Sequence, residues 1–433
     1  MITTDCMQRG VRMLGIQFKK LFGRFDYNVM FNPDGLTILT GPNGYGKSTI
    51  LKSIEALGNE INGLMFFMRL DFEKITVTFK SQEQIVIEKK KDRLVINSFP
   101  IEEKKIYKLF DYLFERSYLV RINENSWFDR RHGEILTINE LINNYETNMS
   151  IRRSFKQDII PQDLSDVLRS MKDLVGTIYF IKEQRLIKET KNRRDEQEII
   201  NVIEELPKQF KDLMNSVQQD YSAVANELDS TYPNRLFETE EGITREEYDI
   251  KIQEMASKFE SLSKYDLATM QKPIKFPFKK EHAKALKVYF DDFEKKYQVY
   301  NDFVHKLDLY TDIINNRLSF KTIKTSKEFG ISVIDENNKK LQLTQLSSGE
   351  KQEIVLFYDL IFRTDNDILL LIDEPEISLH ITWQKKFMDD LIRIIDYKKF
   401  NVIVATHAPQ IINNHWDKQI DLGELYGNQL DKR

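Results

Sequence analysis

The sequence predicts an α/β fold in which a mixed sheet with an antiparallel β lobe is interrupted by a short antiparallel helical arm. Three observations predict it. A glycine-rich loop separates a buried strand from a helix near residue 40, two later strand patterns end in polar residues near 373 and 407, and apolar residues at heptad spacing fill much of 187–317. The arm therefore divides an α/β domain into residues 1–186 and 318–433.

Composition limits the class of protein. A chain of 433 residues is long enough for two or three domains. Its net charge of −4 gives no overall attraction to nucleic acid, so DNA could bind only at a local basic patch. The single cysteine, Cys6, excludes an internal disulfide and a cysteine-rich metal site. No apolar run is long enough to span a membrane and residues 1–15 lack a signal-peptide pattern, so the sequence predicts a cytoplasmic protein.

The chain up to residue 186 is predicted to form mainly strands. From residue 74 onward the apolar residues alternate well enough for antiparallel pairing, which predicts the β lobe. The predicted strands are 11–19, 25–31, 36–40, 74–80, 84–88, 93–97 and 177–181, and the predicted helices are 101–116 and 164–174. Residues 117–149 have a mixed composition that predicts no regular structure.

The glycine-rich loop fits the phosphate-binding pattern G-x-x-x-x-G-K-[ST] without a mismatch. It consists of Gly41, Pro42, Asn43, Gly44, Tyr45, Gly46, Lys47, Ser48 and Thr49. Its glycines let backbone N–H groups turn towards phosphate oxygens, and the N-terminus of the following helix adds a positive dipole end. We expect Lys47 to reach the β- and γ-phosphates of a nucleotide and the Ser48 hydroxyl to bind Mg²⁺. The loop therefore predicts nucleotide binding.

Three amphipathic stretches predict the arm, and helix packing explains their apolar residues without a cofactor. Pro207 predicts a kink or an earlier helix boundary in the first stretch, and Pro233 lies in a predicted turn at 230–242. The second stretch ends near Pro273 and Pro277. The three stripes are Ile203, Leu206, Phe210, Leu213, Val217, Tyr221, Val224 and Leu228; Tyr248, Ile252, Met255, Phe259 and Leu262; and, within 282–317, Leu286, Phe290, Phe293, Tyr297, Tyr300, Val304 and Leu307.

Strand patterns return after the arm, at 320–325 and 329–334. The apolar run that ends at Asp373 predicts a buried strand delivering Asp373 and Glu374 at its carboxyl end, where open α/β sheets place their sites. Asp373 is suited to hold the water shell of Mg²⁺, and Glu374 is suited to polarise an attacking water. The last predicted strand ends in His407, which we interpret as a sensor of the γ-phosphate.

The order of these motifs resembles the ABC-type ATPase domain, a P-loop NTPase fold. The glycine-rich loop matches Walker A, Asp373 and Glu374 match Walker B, and His407 matches the switch histidine. Carried over by position, the signature motif consists of Ser347, Ser348, Gly349 and Glu350. The resemblance implies ATP hydrolysis with Mg²⁺, with Glu374, His407 and a Q-loop glutamine, Gln184, as catalytic residues. Gln184 would also bind the metal.

The same resemblance implies assembly. In this class the signature serine, here Ser347, contacts the γ-phosphate of ATP held by an opposite subunit, so a homodimer is the smallest active unit. Ser348 stands where the family has glycine, Glu350 where it has glutamine and His380 where transporters have aspartate. These departures resemble SMC-, RecF- and OLD-like proteins, and the long insertion between Lys47 and Ser347 argues against a transporter subunit.

The layout of the whole chain resembles ATPase subunits of bacterial anti-phage defence systems, PARIS first and Septu second. That resemblance implies a higher homo-oligomer that controls a separate nuclease effector, Toprim-like or HNH, in response to a phage-encoded trigger protein. The residues after His407 are too few for a Toprim nuclease, so we expect the nuclease to be another chain.

Two other functions stay open on the sequence. The first is a RecF/SMC-like DNA-repair ATPase that binds duplex DNA, for which salt-dependent DNA binding would speak. The second is a nucleotide-gated scaffold in which hydrolysis is slow. The candidates for DNA contact are the lysines at 89–91 with Arg152 and Arg153, although such charge runs are more typical of a solvated face.

Overall fold

A computed structural model gives the architecture of the chain. It describes residues 13–102, 104–105, 119–123, 126–130, 133–137, 161–182, 186–191, 197–268, 277–377 and 379–430. The chain divides by internal contacts into two compact units. The first unit is Met1–Ile200 with Thr364–Arg433, and the second unit is Asn201–Arg363.

The strands of the described residues are, in chain order, β1 (Met13–Leu21), β2 (Phe25–Met30), β3 (Leu36–Thr40), β4 (Lys74–Phe79), β5 (Gln84–Lys90), β6 (Arg93–Ile96), β7 (Phe99–Glu102), β8 (Leu119–Asn123), β9 (Ser126–Asp129), β10 (Glu134–Thr137), β11 (Ile178–Ile181), β12 (Ile187–Lys191), β13 (Gln197–Asn201), β14 (Lys321–Ser326), β15 (Gly330–Asp335), β16 (Lys340–Leu341), β17 (Leu369–Asp373), β18 (Asn401–Ala405) and β19 (Gln419–Asp421).

The α-helices of the same residues are α1 (Lys47–Gly58), α2 (Glu60–Arg69), α3 (Gln162–Val175), α4 (Val202–Glu238), α5 (Arg245–Ser263), α6 (Ala283–Asn315), α7 (Ser348–Tyr358), α8 (Ile381–Lys398), α9 (Pro409–Ile412) and α10 (Leu422–Leu430). A π-helical turn, Asp359–Arg363, follows α7 directly.

A parallel five-stranded sheet in the order β11-β17-β18-β3-β19 forms the centre of the first unit. All five residues of β3 and of β18 are buried, as expected for strands covered on both faces. Asp373 is in register with Ala405, and Ala405 with Leu39. The carboxyl ends of the three central strands therefore lie at one edge of the sheet.

The β lobe is an antiparallel six-stranded sheet in the order β2-β1-β4-β5-β6-β7. Its strands bury alternate side chains, for example Ile75, Val77 and Phe79 of β4, because successive residues face opposite sides of a strand. The lobe and helices α1, α2 and α3 share one hydrophobic core. The α/β fold class with its antiparallel lobe is thus confirmed.

Two predictions about residues 101–149 need comment. Of the predicted helix 101–116, residues 101–102 belong to β7, and most of the remainder lies outside the described residues. Residues for which we predicted nothing include β8, β9 and β10, which pair as a small antiparallel sheet with Trp127 buried. Strands of four or five residues are too short to show a clear period.

The arm consists of α4, α5 and α6 within the second unit. Helix α6 packs against both α4 and α5. Its buried side chains include Phe290, Phe293, Tyr300, Val304 and Leu307, as the stripe predicted. In α4 the residue Met214 is buried, whereas the stripe residues Leu213, Val217 and Val224 are half-buried.

The predicted turn at 230–242 is wrong in its first part, because α4 continues through Pro233 to Glu238. Proline removes one helix hydrogen bond, and α4 continues here without it. Arg235 donates to the Leu228 carbonyl at 2.6 Å and to Asp292 of α6 at 2.8 Å. Pro207 also lies inside α4, so neither proline ends the helix.

The base of the arm packs with the sequence that follows it. The ring of Phe210 in α4 lies 5.4 Å from Tyr310 in α6 and 5.0 Å from Tyr358 in α7. Arg317 forms a buried ion pair with Glu353 of α7. Residues 318–363 therefore group with the arm by contacts, whereas the division into 1–186, 187–317 and 318–433 stays a prediction about functional parts.

Candidate nucleotide-binding site

The glycine-rich loop leaves β3 and enters α1 with three glycines in positive-φ conformations. Gly41, Gly44 and Gly46 have φ of 139°, 81° and 91°, which residues with a side chain rarely adopt. A Cβ on Gly44 would meet nothing within 4 Å, so backbone conformation and not space favours glycine there. Helix α1 has no side-chain cap, and its first N–H groups are available to an anion.

Lys47 and Ser48 occupy the first turn of α1. The Lys47 side chain is buried and its Nζ donates to the Gly41 carbonyl at 2.8 Å, which holds the ammonium inside the loop. The Ser48 hydroxyl donates to Oδ1 of Asp373 at 2.9 Å. The loop and the end of β17 therefore meet, although these two residues are 325 positions apart in the sequence. A hydroxyl beside a carboxylate is a donor set that suits Mg²⁺.

The other loop residues lie around this pair. Pro42 and Asn43 are exposed, and the Thr49 carbonyl accepts from Ser53 at 2.7 Å within α1. Tyr45 packs its ring 5.3 Å from Phe25, and its carbonyl accepts from the Tyr27 hydroxyl at 3.0 Å. The loop is thus fastened to the β lobe through aromatic side chains.

Glu374 follows β17 in a left-handed backbone conformation with φ of 47°. Its N–H donates to the Ala405 carbonyl at 2.9 Å, and its Oε2 lies 2.5 Å from Nδ1 of the exposed His407. Burial, followed by the hydrogen bond and charge of Glu376, raises the pKa of Glu374 to about 7, although His407 opposes the shift. The structure therefore brings Asp373, Glu374 and His407 to one edge of the sheet.

Glu376 is a residue of this site that the sequence reasoning did not assign. Its Oε1 accepts from the Thr406 hydroxyl at 2.7 Å and from the His407 N–H at 3.0 Å. Its Oε2 is buried and has no hydrogen-bond partner within the described part of the chain. Ligand atoms of Glu374, Glu376 and His407 lie within 4.8 Å of one another. A second acid two positions after Glu374 was the available signal.

The signature residues lie in the second unit, at the start of α7. Ser347 caps the helix: its Oγ accepts from the Glu350 N–H at 3.3 Å, and its own N–H donates to the Glu350 carboxylate at 2.9 Å. Ser347 and Ser348 are exposed, Gly349 is half-buried and Glu350 is buried. Burial alone would raise the pKa of Glu350, but hydrogen bonds from Lys321 and Ser347 lower it below its usual value.

The remaining predicted residues fall into two groups, those outside the described residues and those with other contacts. Gln184 and the pair Arg152 and Arg153 lie outside the described residues. Lys89 donates to the Leu70 carbonyl at 2.7 Å, and His380 caps α8 through Thr382. None of the helices in the described ranges is long and apolar enough to cross a membrane.

Comparisons with known proteins identify a family and several relatives. A family model described as AAA ATPase domain matches residues 20–412. The chain is 29% identical over 143 residues to the Retron Ec83 probable ATPase of Escherichia coli, covering 30% of this chain and 26% of that protein. It is 32% identical over 113 residues to Septu protein PtuA of Bacillus thuringiensis, covering 23% and 28%. The matches thus span little more than a quarter of either relative.

A solved Smc head domain from Pyrococcus furiosus, with an extended coiled coil and bound to the C-terminal domain of ScpA, is similar at 14% identity. That similarity covers 93% of this chain and 91% of the other, with a TM-score of 0.35.

Proposed function

The chain belongs to the AAA ATPase domain family, and from that premise we propose that it binds and hydrolyses ATP as a subunit of an anti-phage defence complex. The observation that carries the ATPase part is the 2.9 Å contact between Ser48 and Asp373. It joins a phosphate-binding loop to the strand end that also bears Glu374.

In the proposed mechanism the loop N–H groups and Lys47 bind the phosphates of ATP. Ser48 and Asp373 would hold Mg²⁺, which neutralises phosphate charge when bound. Glu374 orients the attacking water and accepts its proton, and His407 beside it contacts the γ-phosphate. Glu376 holds the backbone and ring of His407 from behind.

Two substitutions test the ATPase part. Glu374→Gln should still bind ATP but hydrolyse it about 10²–10⁴-fold more slowly, because the water loses its base. Lys47→Ala should lose ATP binding itself. Lys52→Ala, on the exposed face of the same helix, is the matched control and should behave as wild type. Near-normal hydrolysis by Glu374→Gln would contradict the assignment.

We further propose that two ATPase domains meet face to face with two ATP molecules between them. The exposed Ser347 at the N-terminus of α7 supports this, because the N-terminus of a helix carries a positive dipole end that favours a phosphate. A site completed by a second copy is competent for hydrolysis only when the protein concentration permits dimers. We therefore expect slow turnover in dilute solution.

The defence role is supported by sequence similarity to a retron ATPase and to the Septu protein. We propose that ATP-dependent dimerisation controls a separate nuclease effector, Toprim-like or HNH, in response to a phage-encoded protein. Whether the system is of the PARIS or the Septu type follows from the neighbouring genes. A neighbouring gene for a small nuclease, whose product co-purifies with this chain, is the expected result.

A RecF/SMC-like repair ATPase remains the alternative proposal, and the described basic candidates give it little support. Lys89 already donates to a backbone carbonyl, and Lys90 lies 3.5 Å from Glu88. Salt-dependent binding of duplex DNA with ATP-stimulated affinity, and no nuclease partner, would favour the alternative.

A further inference from the structure

Lys321 lies at the start of β14 and is bound to the signature motif. Its Nζ donates to both carboxylate oxygens of Glu350, at 2.8 and 3.0 Å. One of those oxygens also accepts from the Ser347 N–H at 2.9 Å. A continuous chain of hydrogen bonds therefore runs from Lys321 through Glu350 to Ser347.

The carboxylate in the middle of this chain depends on its cation. Glu350 is 7% exposed, whereas the Lys321 side chain is 28% exposed. A buried carboxylate that loses its cation must take up a proton or turn towards water, and either change weakens its bond to the Ser347 N–H. Lys321 can lose Glu350 at much lower cost, because its ammonium can be hydrated.

The geometry leaves the serine hydroxyl ready for an anion. Ser347 Oγ accepts from the Glu350 N–H at 3.3 Å, so its proton is not used by that bond. The direction of the Ser347 hydroxyl depends on the Ser347 backbone. The Glu350 carboxylate holds that backbone by accepting from the Ser347 N–H. The capping box thus sets where the hydroxyl points.

We propose that Lys321 is a positioning residue for nucleotide hydrolysis, acting through Glu350 to hold Ser347 in the orientation that receives the γ-phosphate of ATP bound by a second copy. The inference rests on the proposed function, since it concerns the site formed across the dimer. It assigns Glu350 to the positioning of Ser347, without direct contact with the nucleotide.

The decisive experiment compares Lys321→Met, Glu350→Gln and the double variant in steady-state ATP hydrolysis. Lys321→Met should lower kcat about tenfold or more, since it strands a buried carboxylate. Glu350→Gln should have a small effect, because its amide oxygen still accepts from Ser347. The double variant removes the stranded charge and should recover most of the activity that Lys321→Met loses.

Controls separate positioning from folding and from direct contact. Lys324→Met, on the exposed face of the same strand, should match wild type, and Lys321→Arg should retain most activity. ATP affinity of the monomer and thermal unfolding temperature are measured for every variant. If Lys321→Met lowers only the unfolding temperature, the proposal is wrong. If the double variant recovers nothing, Lys321 acts directly and the proposal is also wrong.

Mixing experiments locate the effect. A mixture of Lys321→Met with Lys47→Ala contains dimers in which one site has an intact loop and an intact signature. Its activity should recover to the level of a Ser347→Arg and Lys47→Ala mixture. Recovery of the second mixture alone would overturn the role of Lys321. No recovery in either mixture, with wild type active, would count against the shared site of the proposed function.

Discussion

Glu374 is constrained in two ways. Its backbone is left-handed, and its carboxyl group lies near a second acid, Glu376. Its N–H bond to Ala405 holds the backbone, and Glu376 stands behind its side chain. A non-glycine residue with positive φ costs of order 1–3 kcal/mol, and it persists only where its surroundings enforce that conformation. Residues under such constraint often serve catalysis at the expense of stability.

That constraint predicts a pH-dependent stability gain for Glu374→Gln in nucleotide-free protein. The folded protein raises the pKa of Glu374 to about 7, so the unfolded chain releases this proton at lower pH. The free energy of unfolding of the wild type therefore falls as pH rises from about 4.5 to 7, because the buried carboxyl group becomes charged. Glutamine does not ionise, so the variant does not show this decrease. We expect thermal unfolding to show Glu374→Gln more stable than wild type at pH 8 and nearly equal at pH 4.5.

The opposite ranking at pH 8 would mean that the charged form of Glu374 is stabilised in the folded protein. Lys52→Ala, which changes a solvated side chain, controls for general effects of substitution and should show no such pH dependence.

At the residue scale, motif spacing in the sequence was enough to predict which strand and helix ends carry Ser48 and Asp373. Ser48 and Asp373 meet at 2.9 Å. The strand–loop–helix motif places Ser48 in the first turn of α1, and the end of the buried strand β17 places Asp373 beside it. The roles of Glu376 and Lys321 were not predictable in this way. Each acts through a partner that is distant in sequence, and no local pattern indicates which acid a given lysine will meet.

At the scale of elements, the period of the apolar residues predicted the arm helices. The end of α4 was predicted too early, because the sequence around Pro233 favours a turn. Pro233 is typical of a helix end, yet α4 continues through it, and Arg235 two positions later donates to Asp292 of α6. The turn between α4 and α5 is thereby reduced to residues 239–244. Its Ile243 is buried with Tyr248 and Phe290, so the turn is packed against the arm.

Arg235→Ala should therefore destabilise the arm by about 3 kcal/mol, because it leaves the buried Asp292 without its cation. Lys258→Ala removes a more exposed ion pair with Glu294 and should cost less than about 1 kcal/mol. Urea unfolding of both variants, followed by circular dichroism at a helix band, measures the difference. Equal small losses would show that Pro233 is tolerated without help from Arg235.

The end of α4 also carries an exposed aromatic residue. Phe237 is 86% exposed, and it lies in the arm, which we expect to serve as an assembly surface for other copies or for the effector. We expect Phe237→Ser to reduce oligomer size or nuclease capture while ATP hydrolysis persists, as measured by light scattering and co-purification. Ile135→Ser, at a 64% exposed site in the first unit, is the control. Unchanged assembly would move the partner surface away from the arm.

At the scale of the whole molecule, the family and the fold class were predictable, because four motifs in fixed order leave little choice of architecture. Which residues pack together was not. The division into 1–186, 187–317 and 318–433 stays a prediction, and contacts group residues 318–363 with the arm in one compact unit. Long-range packing of aromatic rings, such as Phe210 with Tyr358, has no signature in local spacing.

The shared site predicts complementation between two inactive proteins. Ser347→Arg should bind ATP but neither dimerise nor hydrolyse it, and Lys47→Ala should not bind it. Mixed dimers contain one complete site, so partial hydrolysis should return on mixing, measured by phosphate release across mixing ratios. In the isologous contact of a two-fold dimer each copy gives its loop to one site and its signature to the other, so one of the two sites is complete. Mixed dimers that are demonstrably formed but inactive would argue against independent shared sites.

The packing of the arm base onto α7 has a thermodynamic consequence. Tyr310 of α6 donates to the Ile354 carbonyl of α7 at 3.1 Å, and Phe210 lies against both helices. A protein that binds the arm and shifts its base would change the conformational free energy of α7, the helix that begins at the signature motif. Linkage then requires reciprocity: if ATP strengthens the grip of that protein by some factor, that protein strengthens ATP binding by the same factor. The same aromatic contacts would then couple ATP binding to partner binding in both directions.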